Sequence, residues 1–304
     1  MTDFVILTDQ QNLNQYNDEG IEQDGFIEDD ILNQALETEG LNVLRLAWDN
    51  PDFDWSTTKA AIFRSTWDYF YRFPEFSKWL SKVSKQTKLI NSAEIIYWNI
   101  DKHYLIDLEK KGLNIAESYF IEQGSKLTLS ELHNTLGWKE TVLKPCVSGT
   151  ARHTYKLDLN NLEEHEAILK QLLLNEAMML QPFQHDIVNK GEVSMMLFGG
   201  QYSHAVLKVA KPNEFRVQSN FGGQVSNYEP TPNEIAFAEH AVRCCPKLPA
   251  YARVDIFNDN SGNIALSELE LIEPELWFRL FPEAAKLLAK TINKKLVSLN
   301  LSAN

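Results

Sequence analysis

Three carboxylates on two neighbouring segments near the end of the chain are the residues best placed to do chemistry. Asp255 lies in a run of alternating apolar and polar residues at 253–257, and Glu268 and Glu270 lie in a second run at 264–272. A turn-rich sequence joins the two runs, so the pattern predicts a β-hairpin. Because side chains alternate between the faces of a strand, Glu268 and Glu270 point the same way, and Asp255 can join them from the partner strand.

Such an acidic trio is unfavourable by itself. Two carboxylates two residues apart on a strand lie ~7 Å from one another and repel by ~2 kcal/mol at an effective dielectric constant near ~20. A divalent cation reverses the sign of this energy, and ligand sets made only of oxygen suit Mg²⁺ or Mn²⁺. The trio therefore predicts a magnesium site that holds phosphates. A solvated acidic face of the hairpin is the alternative that these residues alone leave open.

The composition is that of an acidic globular protein. The chain has 304 residues and a formal net charge of -13. No basic excess is available to displace counterions from a nucleic-acid backbone, so we expect no nucleic-acid partner. The three cysteines have no metal-binding spacing, which fits a reduced protein. We find no signal peptide and no apolar run of membrane-spanning length, so we expect a cytoplasmic protein without a membrane partner.

The N-terminal part has the pattern of an open α/β domain. Strand patterns alternate with amphipathic helical patterns at 4–7, 29–40, 42–47, 60–63 and 74–84. This alternation predicts a parallel sheet, in a domain that we place at residues 1–98. Ligands of such sheets collect at the carboxyl ends of the strands. Arg64 and Asp68 follow the third strand, so we expect them at a ligand-binding edge.

The rest of the chain mixes helices with antiparallel strands. The patterns predict helices at 100–111, 161–175, 232–246 and 281–299, strands at 117–121, 141–145 and 178–183, and a hairpin at 192–208. The fold class that follows is α/β, with α+β character in the C-terminal part. We expect two further units, at 99–180 and 181–304.

Several residues occur in an order that resembles the ATP-grasp superfamily. The order over residues 95–280 is Lys102, Lys144, Gln181-Pro182-Phe183, Arg216 and then the acidic trio. Within the superfamily the chain resembles glutathione-synthetase-like ligases, and most of all the ATP-grasp cyclo-ligase of cycloserine biosynthesis. The segments that carry this second likeness are 64–69, 215–223 and 269–274. The resemblance implies an N-terminal pre-ATP-grasp domain, a lid subdomain and a C-terminal antiparallel-sheet catalytic subdomain.

The resemblance implies that two lysines contact the phosphates of ATP. Lys144 ends an apolar strand that leads into a Ser-Gly-Thr loop, which by itself suits an anion site. A surface lysine is the alternative for Lys144, and Lys102 fits an ordinary amphipathic helix equally well. The loop at 148–153 would close over the phosphates, since Gly149 lets backbone amides approach an anion. It has a single glycine, which is fewer than the family pattern.

The segment that includes Gln181 and Phe183 would hold adenine, through the Gln181 amide and the Phe183 backbone. A buried core strand is the alternative. The resemblance also implies that an acid, either Asp186 or Glu192, meets the ribose or supports the site. The sequence does not choose between these two acids.

The resemblance places Arg216 over the transferring phosphoryl group, with Lys208 as a second cation. Arg64, Asp68 and Arg152 are candidates for binding the substrate. The chain departs from the family at Glu270, where the usual metal ligand is asparagine. The extra negative charge fits two magnesium ions or a lost function.

We therefore expect an ATP- and Mg²⁺-dependent (or Mn²⁺-dependent) ligase. It would activate a small carboxylate as an acyl-phosphate for attack by an amine, which can belong to the same molecule, and release ADP and phosphate. Both substrates would be amino-acid-like. The alternatives are a small-molecule kinase on the same fold and a non-catalytic nucleotide-binding module. The sequence leaves homo-oligomerisation open.

Overall fold

The protein is described by a computed structural model at residues 2–212, 214–217 and 221–301. Its strands are β1 Thr2–Thr8, β2 Val43–Ala47, β3 Thr58–Phe63, β4 Lys88–Ile90, β5 Tyr119–Ile121, β6 Glu140–Pro145, β7 Tyr155–Asp158, β8 Met178–Pro182, β9 Glu192–Phe198, β10 Gln201–Val209, β11 Gln224–Asn227, β12 Tyr251–Asn258 and β13 Ile264–Glu270. Its helices are α1 Asp24–Thr38, α2 Phe73–Val83, α3 Ala93–Asn99, α4 Tyr104–Lys110, α5 Leu129–Leu136, α6 Leu162–Leu172, α7 His185–Lys190, α8 Pro232–Arg243 and α9 Pro282–Leu301. Within these ranges no helix combines the length and apolarity needed to cross a membrane.

The N-terminal sheet is parallel, in the order β2-β1-β3-β4. Its strands are apolar on both faces, as a sheet covered by helices requires, and β1 is fully buried from Phe4 to Leu7. One face packs in a core with α1 and α9, and the other packs against aromatic residues of α2 and its flanking loops. The loops after β1 and β3 therefore meet at one edge of the sheet.

Two antiparallel sheets follow. The order of the first is β5-β8-β6-β7, and that of the second is β11-β10-β9-β12-β13. The parallel sheet followed by antiparallel sheets confirms the α/β fold class with its α+β C-terminal part. The division at residues 98 and 180 stays a prediction.

The helix expected at 100–111 begins later, since α4 spans Tyr104–Lys110. Lys102 lies in the turn between α3 and α4. The Asp101 carboxylate accepts a hydrogen bond from the backbone N–H of His103 at 3.0 Å, a local bond that competes with a continuous helix. The turn places the Lys102 side chain in the space that faces β13.

Side-chain amides cover the outer edge of β13. The Asn99 amide donates to the Leu269 carbonyl at 2.8 Å and accepts from the Leu271 N–H at 2.9 Å. The Asn91 amide donates to the Leu271 carbonyl at 2.9 Å, and the Leu269 N–H donates to the Tyr104 hydroxyl at 2.9 Å. These contacts supply the hydrogen bonds that an edge strand otherwise lacks, and they fix the position of the acidic strand.

We predict that Asn99→Leu lowers the free energy of unfolding by about 2–4 kcal/mol, because it removes the partner of the buried Leu269 carbonyl and of the Leu271 N–H. Asn160→Leu, at an exposed position, is the matched control and should change the free energy by less than ~0.5 kcal/mol. Urea unfolding followed by fluorescence measures both values. Equal effects of the two substitutions would contradict the role given to Asn99.

Candidate active site

The three sheets surround one cleft of about 980 Å³. Nearly all the residues proposed from the sequence line it: Asp68, Lys102, Lys144, Gly149, Gln181, Phe183, Glu192, Lys208, Arg216, Asp255, Glu268 and Glu270. Arg64 and Arg152 are not on its walls. The order of motifs along the chain thus corresponds to a single concave site, as expected of a small-molecule enzyme.

The acidic hairpin forms as predicted. β12 and β13 pair antiparallel, with Asp255 opposite Glu268 and Arg253 opposite Glu270. The register shifts between Asp255 and Ile256, which marks a β-bulge beside the acids. All three carboxylates line the cleft. Their role as metal ligands stays a prediction.

Basic side chains separate the carboxylates. The Arg253 guanidinium donates to the Asp255 carboxylate at 2.8–3.2 Å and also contacts the Glu270 carboxylate. The Lys208 ammonium lies 3.1 Å from Asp255 and 2.6 Å from Glu192. Burial raises the pKa of Asp255, but Arg253 and Lys208 outweigh burial and hold this pKa well below its usual range.

Glu268 is paired with two lysines. The Lys102 ammonium lies 3.0 Å from its carboxylate, and the Lys144 ammonium lies 3.7 Å away. Against the effect of burial, these cations lower the pKa of Glu268 to about 2. Lys102 also donates to the Ser148 carbonyl at 3.1 Å, which ties the turn before α4 to the loop after β6. Burial lowers the pKa of Lys144.

The negative charge of Glu270 is less well compensated by nearby cations than that of Glu268. Burial raises its pKa to about 8, and the neighbouring carboxylates of Asp255, Glu268 and Glu273 add to this effect despite Arg253. Burial likewise raises the pKa of Glu273 to about 7. The protein therefore holds these two acids in the cleft without enough positive charge to ionise both at neutral pH.

The donor set fits magnesium. Within the described ranges, ligand atoms that all lie within 4.8 Å of one another occur at Asp101, His103 and Cys146, and not at the acidic trio. Arg253 bridges Asp255 and Glu270, and Lys102 pairs with Glu268. Carboxylate oxygens suit a hard metal ion, and the cations beside them suit the phosphates that such an ion accompanies.

The residues proposed to bind adenine already make hydrogen bonds within the protein. The Gln181 amide donates to the Ser118 hydroxyl at 2.8 Å. The Phe183 N–H donates to the Glu140 carbonyl at 2.9 Å, and the Phe183 carbonyl accepts from Asn260 at 3.0 Å. The Phe183 N–H continues the pairing of β8 with β6 and is not free to pair with a purine, whereas the Phe183 carbonyl keeps a second acceptor position. The adenine role of Phe183 stays a prediction.

Of the two acids considered for the ribose, Glu192 lines the cleft, and its carboxylate pairs with Lys208. Asp186 pairs with Lys190 at 2.6 Å, and it does not line the cleft. The geometry favours Glu192 as a supporting residue that orients Lys208.

Two of the proposed substrate residues are held elsewhere. Arg152 contacts Glu176 through both terminal nitrogens and donates to the Val147 carbonyl at 3.0 Å. Arg64 is 2% exposed and donates to the Pro274 carbonyl at 2.7 Å. Neither guanidinium reaches the cleft, so the structure corrects both expectations. The sequence shows that both residues are charged, but it does not show their partners, which lie far away along the chain.

The other two candidates do face the cleft. Asp68 accepts from the Trp48 indole at 2.7 Å and from Arg72 at 2.9 Å. Arg216 binds Glu214 through two hydrogen bonds, and its guanidinium carbon lies 3.6 Å from the centre of the Phe221 ring. Gly149 packs against Phe70, because a Cβ atom there would lie 2.5 Å from Phe70 Cε1.

Sequence reasoning missed Arg253, Glu273 and Tyr69. Arg253 stands two residues before Asp255, so strand alternation could have placed it on the same face as the acids. Glu273 lies beyond the end of β13 and lines the same cleft as Tyr69, which comes from the N-terminal part of the chain. No local sequence pattern indicates that these two residues share one cleft.

The fold has relatives among solved structures. D-alanine–D-alanine ligase from Bacillus anthracis complexed with ATP matches with a TM-score of 0.65 at 13% identity, over 100% of both chains. The chain therefore has the ATP-grasp fold that the resemblance implied.

Residues 5–91 match the family model of the N-terminal domain of D-cycloserine synthetase DcsG. The chain is 27% identical over 277 residues to the cycloserine biosynthesis protein DcsG of Streptomyces lavendulae. The alignment covers 87% of this chain and 92% of that protein. The crystal structure of D-cycloserine synthetase DcsG matches with a TM-score of 0.83 and 25% identity, over 96% of this chain and 99% of that one. These matches confirm the resemblance to ATP-grasp ligases and to the synthetase of cycloserine biosynthesis in particular.

We predict that Glu270→Gln flattens the pH dependence of stability in the ligand-free protein. The pKa values of Glu270 and Glu273 are raised from 4.5 to about 8 and about 7, so the stability contributed by their neutral forms is full below pH 4.5 and is lost as the pH rises through 7 and 8. Each acid can lower the free energy of unfolding by up to ~1.4 kcal/mol per pH unit. The variant should therefore gain stability relative to wild type above neutral pH. Melting temperatures from pH 5 to pH 9 test this, and parallel profiles would contradict it.

Proposed function

We propose that this ATP-grasp ligase activates a small-molecule carboxylate as an acyl-phosphate, which an amine of the same or a second molecule then attacks, with release of ADP and phosphate. The observation that supports this most is the alternation of acids and cations within one cleft. Asp255, Glu268 and Glu270 alternate there with Arg253 and the lysines. The names of the relatives, a D-cycloserine synthetase and a D-alanine–D-alanine ligase, support an amino-acid-like substrate.

Asp255, Glu268 and Glu270 would hold Mg²⁺, and Mn²⁺ would fit the same oxygen donors. The bound ion would neutralise charge on the phosphate oxygens. Because Arg253 also contacts Asp255 and Glu270, it would offset part of their negative charge before the ion binds.

The basic residues would bind the phosphates and stabilise their charge during transfer. Lys102 and Lys144 would reach the phosphates from the turn before α4 and from β6, and Arg216 and Lys208 would face the transferring group. The γ-phosphoryl group passes to a carboxylate oxygen of the substrate as its bond to ADP breaks. The amine nitrogen then attacks the acyl carbon and loses a proton as phosphate leaves.

Water must be kept from the acyl-phosphate. The loop at 148–153 lies over the cleft, and Gly149 packs against Phe70 of the N-terminal part. A lid formed by about residues 115–180 would close on ATP and exclude water. The approach of Gly149 to Phe70 supports this lid, which the resemblance to the family implies.

The assay supplies Mg²⁺-ATP with candidate amino acids and measures ADP, free phosphate and trapping of the acyl group by hydroxylamine. A ligase gives ADP, phosphate and a hydroxamate. A kinase gives ADP and a stable phosphorylated product without free phosphate. A non-catalytic binder gives neither product, although ATP still raises its melting temperature. Either of the last two results would contradict the proposal.

We predict that Glu268→Gln and Glu270→Gln each reduce ADP formation by at least ~100-fold, because each removes a ligand of the ion that neutralises the phosphates. Both variants should still unfold cooperatively. Glu164→Gln, at an exposed position of α6, is the matched control and should retain wild-type turnover. Wild-type turnover in either cleft variant would refute the metal assignment.

A further inference from the structure

A second group of metal-ligating side chains lies outside the cleft. Asp101, His103 and Cys146 each offer one ligand atom, and these three atoms all lie within 4.8 Å of one another. None of these three residues lines the cleft that holds the acidic hairpin. The group combines oxygen, nitrogen and sulfur donors, whereas the hairpin acids offer oxygen alone. Mixed donors that include a thiolate select Zn²⁺ and similar thiophilic ions over Mg²⁺.

Backbone contacts hold the three residues in place. The Lys102 N–H donates to the Cys146 carbonyl at 2.9 Å, so the turn that carries Asp101 and His103 is joined directly to the segment after β6. The His103 N–H donates to the Asp101 carboxylate at 3.0 Å, and the Cys146 N–H donates to the Ala177 carbonyl at 3.0 Å. The ligand atoms therefore start from a backbone that is already paired, which lowers the entropy cost of binding an ion.

The His103 ring is held between two carboxylates. Its Nδ1 atom lies 2.5 Å from Asp101 Oδ1, and its Nε2 atom lies 3.2 Å from Glu122 Oε1. The ring also stacks on Phe120, with the ring centres 4.3 Å apart. One ring nitrogen can therefore bind an ion while a carboxylate accepts the hydrogen of the other nitrogen. Carboxylates orient metal-bound histidines in this way.

Solvent reaches the group from one side. Cys146 is 1% exposed, whereas the side chains of His103 and Asp101 are 31% and 42% exposed. An ion from solvent would therefore meet the imidazole and the carboxylate first and then the thiol, which gives it an entry path. Tetrahedral zinc bonds of ~2.0–2.3 Å put ligand atoms ~3.3–3.8 Å apart. Side-chain movements of about 1 Å would therefore close the three atoms on an ion.

We propose that Asp101, His103 and Cys146 form a second metal site, which binds Zn²⁺ or another thiophilic divalent ion in preference to Mg²⁺. As the ion binds, the Cys146 thiol gives its proton to solvent, and the thiolate, one imidazole nitrogen and one carboxylate oxygen bond to the metal. A water molecule or the nearby Glu122 carboxylate takes the fourth position. The ion takes no part in the proposed ligation, so this inference does not depend on the function proposed above.

The ion would fix the turn that carries Lys102. This lysine lies between two of the proposed ligands along the chain, and its ammonium lies 3.0 Å from Glu268 and donates to the Ser148 carbonyl at 3.1 Å. Its N–H is already bonded to the Cys146 carbonyl. A bound ion adds a further link between the same two segments. We therefore expect slower hydrogen exchange of the backbone amides at 101–104 and 146–148 when the ion is bound.

The test uses the whole protein, stripped of metal with EDTA and then dialysed into excess Mg²⁺, which fills sites made only of oxygen. Zn²⁺ is titrated while bound metal and melting temperature are measured. Co²⁺ is the spectroscopic probe, because a cobalt–thiolate bond gives a near-ultraviolet charge-transfer absorption. We expect one tightly bound Zn²⁺ per chain, the cobalt–thiolate absorption, and a melting temperature several degrees higher at saturating Zn²⁺.

Three variants locate the ion. Cys146→Ser should weaken Zn²⁺ binding by at least ~100-fold and abolish the cobalt–thiolate absorption, and His103→Gln should weaken binding by at least ~10-fold. Cys244→Ser is the matched control, because Cys244 Sγ lies 3.8 Å from His240 Nε2 in another thiol–imidazole pair. It should leave binding unchanged. Melting in EDTA shows whether each variant folds, and His103→Gln, at the more exposed position, keeps the test decisive if Cys146→Ser does not fold.

The outcomes are distinct. The site is refuted if the wild type binds no Zn²⁺, or if excess Mg²⁺ abolishes the binding. Wild-type affinity in Cys146→Ser or His103→Gln also overturns the assignment, and loss of binding in Cys244→Ser places the ion at the other pair. If Zn²⁺ binds but exchange at 101–104 and 146–148 is unchanged, the link to Lys102 is wrong. ADP release is assayed separately, so the ligase proposal and this inference can each fail alone.

Discussion

Charge compensation in a buried cleft is the constraint on which the site depends. An ionised carboxylate that is buried without a cation is costly, so the pKa of such a group rises and its neutral form is favoured. The protein satisfies this requirement by alternation: Arg253 lies between Asp255 and Glu270, and two lysines hold Glu268. Lys102 and Lys144 come from elements other than β13, which carries Glu268. Arg253 lies on β12, the same strand as Asp255, and pairs across to Glu270 on β13. The sheets must therefore meet for the acids to be tolerated.

The compensation of negative charge is incomplete at two acids of the cleft. Glu270 and Glu273 keep raised pKa values of about 8 and about 7, because burial outweighs the effect of Arg253 on both. Neighbouring acids add to the rise at Glu270. Residues that bind a cation are expected to destabilise the empty protein in this way. In our proposal Glu270, at the end of β13, would bind a metal ion that accompanies nucleotide.

Local patterns predicted the hairpin because strand alternation and turn residues are encoded within about twenty neighbouring positions. The order of lysines, arginine and acids predicted which fold would bring them together. What the sequence could not show were partners distant along the chain. Arg152 pairs with Glu176, and Arg64 donates a hydrogen bond to the Pro274 carbonyl. Lys102 lies in a turn in which the His103 N–H donates to the Asp101 carboxylate. Glu273 had no local signal at all.

The most direct test of the central claim is the melting temperature of the wild-type protein with saturating ADP, measured once with Mg²⁺ and once with EDTA. If the buried acids exist to bind a cation that accompanies nucleotide, ADP should stabilise the protein several degrees more with Mg²⁺, and Glu268→Gln should abolish the difference. Equal stabilisation by ADP in Mg²⁺ and in EDTA would contradict the account.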